Sequence, residues 1–135
     1  MIFYQDKYVT IRRPYGTSSF LRIDWKETTS SLSDFHFKNI INILTDILEE
    51  KKIRKILANG TNNFYVMPSD MQDWHENDII PRYRSLGIAR IAFLISTELM
   101  IHLDHDTPHH SQNNGEIPAV RFFASEYEAI RWLLE

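Results

Sequence analysis

The fold class is indicated first by the stretch ARIAFLI at residues 89–95. This run is nearly continuous in apolar residues but short for a helix, which is typical of a central strand buried on both faces of a sheet. A second short strand is predicted at Arg54–Asn59, where Gly60 ends it. Because helical patterns separate the two strands, we expect them to lie parallel in one sheet.

The residues before these strands predict a meander followed by a long amphipathic helix. Residues 8–11 and 20–25 alternate with the two-residue period of half-buried strands, and residues 2–4 are a further short candidate. The turn sequence PYG at residues 14–16 separates the two longer strands, so we expect them to be antiparallel. From Ser33 to Lys51, apolar residues recur at spacings of three and four, as on one face of a helix.

Two sequence patterns predict where later helices begin. Ser69–Gln72 and Ser125–Glu128 both fit the capping box, in which a serine caps the helix and a Gln or Glu reaches back. A helix at residues 78–86 is indicated by Pro81 near its start, and a last strand lies at residues 119–123. We therefore expect residues 1–135 to form a single α/β domain, with N-terminal antiparallel strands, helix-linked parallel strands and helices packed on the mixed sheet.

Composition excludes several functional classes. Hydrophobic residues make up 43% of the chain, enough for a core without disulfides, and the absence of cysteine rules out thiol catalysis and cysteine metal sites. The net charge of −3 does not point to nucleic acid. The first residues lack the pattern of a signal peptide, and no apolar run is long enough to span a membrane. We expect a cytoplasmic protein.

A series of weak motifs lies along nearly the whole chain: FLRIDWK (20–26), IRKILAN (53–59), MPSD (67–70) with Trp74, Ile80-Pro81, Gly87, RIAF (90–93) and FASEYEAIRWL (123–133). In this order, the motifs resemble those of the STAS/SpoIIAA-like family of small bacterial proteins. The resemblance implies a SpoIIAA-like mixed sheet and a regulatory module that binds another protein. Such folds also resemble lipid-binding domains of the CRAL-TRIO type, which implies a small apolar ligand as an alternative.

The resemblance also points to a candidate regulatory or ligand loop. In STAS anti-sigma antagonists, a partner kinase phosphorylates a Ser or Thr after a central strand, and that loop corresponds here to residues 59–69. The usual Asp-x-Ser-Gly run is replaced by NGTN at residues 59–62. Because a capping role accounts for Ser69, Thr61 is the better regulatory candidate. The candidate residues of this loop and the helix after it are Asn59, Thr61, Asn62, Ser69 and Trp74.

A second candidate is the His-rich segment near residue 105. Four histidines fall within nine residues, and imidazole is a good ligand for zinc or nickel: His102, His105, His109 and His110. Their spacing matches no established metal motif, and the segment leads into the polar run SQNNG at residues 111–115, which offers no rigid scaffold. We therefore assign no metal and treat these residues as weak candidates.

No catalytic motif stands out in the chain. There is no Ser-His-Asp order or glycine-rich phosphate loop, and the chain has only four glycines. We therefore predict a non-enzymatic regulatory or protein-binding module without a cofactor. Two alternatives stay open: a binder of a small apolar or lipid-like ligand with an enclosed pocket near Met71 and Trp74, and a metal-binding protein that uses the His-rich segment. A homodimer is compatible with a domain of this size.

Overall fold

The computed structural model describes residues 1–14, 16, 19–106 and 116–135, with the backbone alone for residues 104–106. Within these residues, six strands form one sheet whose spatial order follows the chain. Their bounds are β1 Ile2–Gln5, β2 Val9–Arg12, β3 Leu21–Trp25, β4 Lys55–Asn59, β5 Arg90–Leu94 and β6 Ala119–Phe123.

The helices alternate with the later strands. They are α1 Asp34–Lys51, α2 Ser69–Trp74, α3 Ile80–Ser85, α4 Thr97–Asp106 and α5 Glu126–Leu134, with a 3₁₀ turn at Glu27–Ser31 and a π-helical turn at His75–Ile79. The predicted start of α1 is confirmed, because the Ser33 hydroxyl accepts a hydrogen bond from the His36 amide at 3.1 Å. Ser125 likewise accepts from the Glu128 amide at 3.3 Å and caps α5.

The predicted mixed sheet is confirmed. Strands β1, β2 and β3 pair in antiparallel fashion, and β3 through β6 pair in parallel. Pairing changes from antiparallel to parallel at β3 because α1 connects β3 to β4. A helical crossover of this kind makes the next strand run in the same direction. The loops that follow β3, β4 and β5 therefore leave the same edge of the sheet.

The two faces of the sheet carry separate cores. Strand residues alternate in direction, so Ile56 and Ala58 of β4 belong to the core under α1 and α3, whereas Leu57 belongs to the core under α5. We call these the α1 face and the α5 face. On the α5 face, Leu57 and Ala129 are fully buried, and other strands alternate in the same way.

The predicted capping role of Ser69 is wrong. Pro68 is the N-cap of α2, because its carbonyl accepts the first helical hydrogen bond from the Gln72 amide at 3.0 Å, and Ser69 is the first helical residue. The Gln72 side chain does reach back, but it donates to the Met67 carbonyl at 3.0 Å. Ser69 is exposed.

The two helical pieces predicted on either side of residue 75 are joined in the structure. α2 continues through the π-helical turn into α3, and the Ile80 amide donates to the His75 carbonyl, five residues back. Pro81 has no N–H to donate within this run, which favours a local departure from α-helical bonding. Gly87 follows α3 with φ of 74°, a left-handed conformation that suits glycine.

None of the helices in the described part of the chain combines the length and apolarity needed to cross a membrane.

Candidate functional site

An apolar cavity of about 330 Å³ lies on the α1 face of the sheet. Its floor is made by alternate residues of four parallel strands, among them Ile23 in β3, Ala58 in β4, Ile91 in β5 and Val120 in β6. These side chains share one face because successive strand residues point to opposite sides. The floor of the cavity thus follows from the parallel register of β3 to β6.

The walls of the cavity come from helices and from the loop after β4. Helix α1 contributes Phe37 and Leu44, the loop contributes Met67, and the run from the π-helical turn into α3 contributes His75 and Tyr83. A π-helical turn is wider than an α-helical one and is frequent at functional sites. His75 therefore reaches the cavity from the one irregular turn in this helical run.

Helix α3 is attached to α1 by a network of polar contacts. The Arg82 guanidinium donates to the Asp46 carboxylate at 2.7 Å and to Glu49 at 3.3 Å. It also donates to the hydroxyl of Thr45, which is fully buried in α1. Charge-assisted hydrogen bonds of this kind are among the stronger ones, so they hold the two helical walls together independently of what fills the cavity.

Aromatic rings support one end of the cavity. Phe37 stacks on Tyr65 with ring centroids 4.5 Å apart and on Trp25 at 5.8 Å. The Tyr65 hydroxyl donates to the Asp34 carboxylate at 2.6 Å, which ties the loop after β4 to the first turn of α1. Burial and this hydrogen bond together raise the pKa of Tyr65 well above its ordinary value. Large rings fixed in this way cannot collapse easily into the space beside them.

Three polar side chains line the cavity: Asn63, His75 and Tyr83. The Asn63 side-chain oxygen accepts from the Tyr65 amide at 3.0 Å. Burial lowers the pKa of His75 below its ordinary value, and the charge of Glu76 opposes this only in part, so the imidazole is neutral at pH 7. No Lys, Arg, Asp or Glu within the described residues contributes to the lining.

A second, more polar pocket adjoins the cavity. It has a volume of about 370 Å³ and shares Ile80 and Val120 with the cavity. Glu76, Arg84 and Glu116 contribute to its lining, and the Arg84 side chain donates to the Ile117 carbonyl at 2.9 Å. Charged groups thus stand beside the apolar cavity but outside it.

The structure gives the start of the predicted regulatory loop a structural role. The side-chain nitrogen of Asn59 donates to the Asp24 carboxylate at 2.8 Å. The side-chain oxygen of Asn59 accepts from the Thr61 hydroxyl at 2.8 Å and from the backbone N–H of Thr61 at 3.2 Å. These bonds close a turn at the end of β4. Thr61 is exposed yet participates in the turn, and Asn62 beside it is also exposed.

Trp74 lies beside the cavity but does not line it. Its ring packs edge-on against Phe37 at 6.4 Å, and the Lys38 ammonium lies 5.3 Å from its centroid. Among the five loop candidates, none contributes to the cavity lining. The lining comes instead from their neighbours Asn63, Met67 and His75.

The histidine candidates are not brought together in the described structure. His102 is exposed on α4, and only the backbone of His105 is described. His109 and His110 lie outside the described residues. Within the part of the chain that the structure describes, no group of three or more side chains is arranged to hold a metal ion.

Comparison of the chain with protein-family models, with curated proteins and with solved structures finds no match. The resemblance to the STAS/SpoIIAA-like family therefore stays a prediction that rests on the order of motifs in the sequence.

Sequence reasoning missed His75 and Tyr83 as functional candidates. Both are isolated polar residues in helical segments, and such residues are more often surface or core residues than ligand contacts. A signal was present in the spacing of Met71, His75 and Ile79, which repeats every four residues and places all three on one helical face. A histidine on an otherwise apolar face indicates a polar group directed at the core.

Proposed function

We propose that this chain is a non-enzymatic binding module that takes up a small apolar ligand in the cavity of the α1 face. The observation that carries the proposal is the cavity itself, about 330 Å³ in volume and lined almost entirely by apolar side chains. Concave apolar pockets with a few polar groups are the usual form of small-molecule sites.

The size of the cavity limits the ligand. An apolar cavity of about 150 Å³ holds one benzene molecule. A volume of about 330 Å³ is roughly twice as large and suits a molecule of two fused rings or a short branched hydrocarbon skeleton. Protein interiors are normally close-packed, and side chains that line an apolar cavity make fewer contacts with protein atoms than those of a filled core. Ligand binding would restore them, which supports a binding role for this face.

The proposal is tested by adding tetralin, a bicyclic hydrocarbon, to the protein and to its Ala58→Phe variant. Ala58 is buried in the cavity floor, so the larger side chain occupies the binding space. We expect tetralin to raise the melting temperature of the wild type and to bind in calorimetry. The Ala58→Phe variant should remain folded and bind at least tenfold more weakly.

The matched control is Ala124→Phe, which adds the same side chain at an exposed position. This variant should bind tetralin like the wild type. Equal binding by Ala58→Phe and the wild type would place the ligand elsewhere and contradict the proposal. A wild type that binds no apolar probe of this size would contradict it as well.

The protein-binding regulatory role is a second proposal. The observation that favours it is the surface of the loop after β4, where Phe64 is 57% exposed and Val66 is 82% exposed. Thr61 and Ser69 flank these residues and are exposed, so a kinase can reach both hydroxyls. Phosphate located on either residue in protein isolated from its native cells would support this role, and unmodified residues under all growth conditions would argue against it.

A further inference from the structure

Tyr83 is the most deeply buried polar side chain of the cavity. It is 5% exposed, and it lines the cavity from α3. Buried tyrosine hydroxyls usually have a hydrogen-bond partner, because leaving one unpaired costs free energy. The Tyr83 hydroxyl forms no hydrogen bond with any residue in the described part of the chain, and its oxygen keeps an accessible surface rather than being fully enclosed by protein. The Tyr83 ring lies edge-on to that of His75, with ring centroids 6.3 Å apart and the planes crossed at 73°.

The ionisation state of Tyr83 makes it a hydrogen-bond donor. Burial raises the pKa of its phenol well above the ordinary value, and the charge of Arg82 opposes this only in part. The hydroxyl is therefore protonated throughout the neutral range. A donor that no group of the protein satisfies is available to an acceptor that arrives with a ligand.

The remainder of the lining disfavours a charged ligand. No side chain of fixed charge within the described residues lines the cavity, and His75 is neutral at pH 7. An ion placed there would lose its hydration without gaining a partner of opposite charge. The charged groups of the adjoining pocket, such as Arg84, lie beyond Ile80 and Val120.

We propose that the Tyr83 hydroxyl donates a hydrogen bond to the ligand, and that the cavity selects an uncharged molecule with one acceptor oxygen on an apolar body. A cyclic ketone or ether of two fused rings has this chemistry. The inference rests on the proposed function, because it specifies the ligand of the same cavity.

The experiment compares three bicyclic probes by calorimetry: 1-tetralone, which has a ketone oxygen, tetralin, which lacks it, and 1-naphthoate, which is an anion. For the wild type we expect 1-tetralone to bind about fivefold to tenfold more tightly than tetralin, the preference that one buried hydrogen bond provides. 1-Naphthoate should bind most weakly. In Tyr83→Phe the preference for the ketone should fall to about one, while tetralin binds as well as before.

The matched control is Tyr127→Phe, which removes a hydroxyl from a residue that is 72% exposed. It should keep the ketone preference of the wild type. Tyr83→Phe retains the buried ring, and thermal unfolding checks that it is folded. The wild-type comparison of the two neutral probes tests the inference without any variant.

The outcomes separate this inference from the proposed function. If tetralin binds but the wild type shows no preference for the ketone, the role of Tyr83 is overturned and the apolar cavity site stands. If Tyr83→Phe still prefers 1-tetralone over tetralin, the role of Tyr83 is likewise overturned and the apolar cavity site stands. Tighter binding of 1-naphthoate would overturn the uncharged ligand class and point to Arg84. If neither neutral probe binds, the proposed function fails and the inference fails with it.

Discussion

The two faces of the sheet are built from the same strands but are filled differently. On the α5 face, Leu57, Ala92, Ala129 and Leu133 are completely buried, and two alanines among them let the helix approach the sheet closely. The α1 face has a larger core, yet a partly open cavity of about 330 Å³ lies within it. Close packing on one face supplies stability, so the other can keep space without loss of the fold.

On the α1 face, rigid groups keep the helices from closing onto the sheet over the cavity. The stack of Trp25, Phe37 and Tyr65 supports one end, and the Arg82 contacts attach α3 to α1 at the other. Ridge-and-groove packing of aliphatic side chains would have closed such a gap. The cavity is therefore kept open by rigid side chains and helix contacts rather than by weak packing alone.

The largest expected effect comes from truncating adjacent residues of β4 that point to opposite faces. Leu57→Ala should lower the free energy of unfolding by about 4–5 kcal/mol, because it creates a cavity in a filled core. Ile56→Ala should cost only about 2–3 kcal/mol, because Ile56 lines the cavity and has fewer packed neighbours to lose there. Urea unfolding of both variants measures the difference. An equal or larger loss for Ile56→Ala would show that the cavity side is as tightly packed as the other.

A smaller effect is expected from adding volume to each face. Ala92→Phe should destabilise the protein by about 1–3 kcal/mol, because the α5 face has no room for a ring. Ala58→Phe places the same ring into the cavity and should leave the free energy of unfolding unchanged to within about 1 kcal/mol. Thermal and urea unfolding compare the two. Similar losses in both variants would contradict the difference between the faces.

The smallest effect is a pH dependence confined to the cavity face. The pKa of His75 is lowered in the folded state, so the unfolded chain binds a proton more readily as pH falls below about 6.5. Stability should therefore decrease from pH 7 toward pH 5 and level off below the folded-state pKa. In His75→Gln, the part of the decrease in the free energy of unfolding between pH 7 and pH 5 that is due to this imidazole should disappear, as urea unfolding at each pH would show.

A second group with a lowered pKa titrates in a separate range. Burial raises the pKa of Asp6, but hydrogen bonds from Tyr4 and from the amides of Tyr8 and Val9 outweigh it, so the pKa lies below 3.8. Its contribution is lost only as the pH falls toward and below 3.8, whereas the decrease due to His75 begins below about 6.5. An unchanged slope between pH 7 and pH 5 in His75→Gln would refute the assignment to His75.

Much of the fold could be predicted because its signals are local. The apolar period of α1, the alternation in β2 and β3, and the serine cap at Ser125 all depend on residues within one turn or one strand. The prediction failed at Ser69: the sequence carries the pattern of a capping box, but Pro68 has the extended geometry of the N-cap and Ser69 is already helical. Either Pro68 or Ser69 could be the N-cap of α2, and the sequence pattern does not show which of them is.

The candidate site was predicted less well than the fold. The sequence pointed to the loop after β4, and that loop does border the cavity through Asn63 and Met67. The residues singled out, Thr61 and Asn59, instead close a turn with each other. The Thr61 hydroxyl and the Asn59 side-chain amide were candidates for regulation or ligand binding, whereas in the structure they bond to each other within the loop.

The sequence by itself determined the α/β class, the antiparallel start, the parallel continuation and the exclusion of cysteine chemistry, because these follow from periodicity, connection length and composition. Only the tertiary structure decided that a cavity opens on one face and that Tyr83 and His75 line it. The cavity joins residues from Ile23 to Val120 that belong to four strands and two helical segments. Space between elements depends on how several of them pack together, and no local pattern encodes that volume.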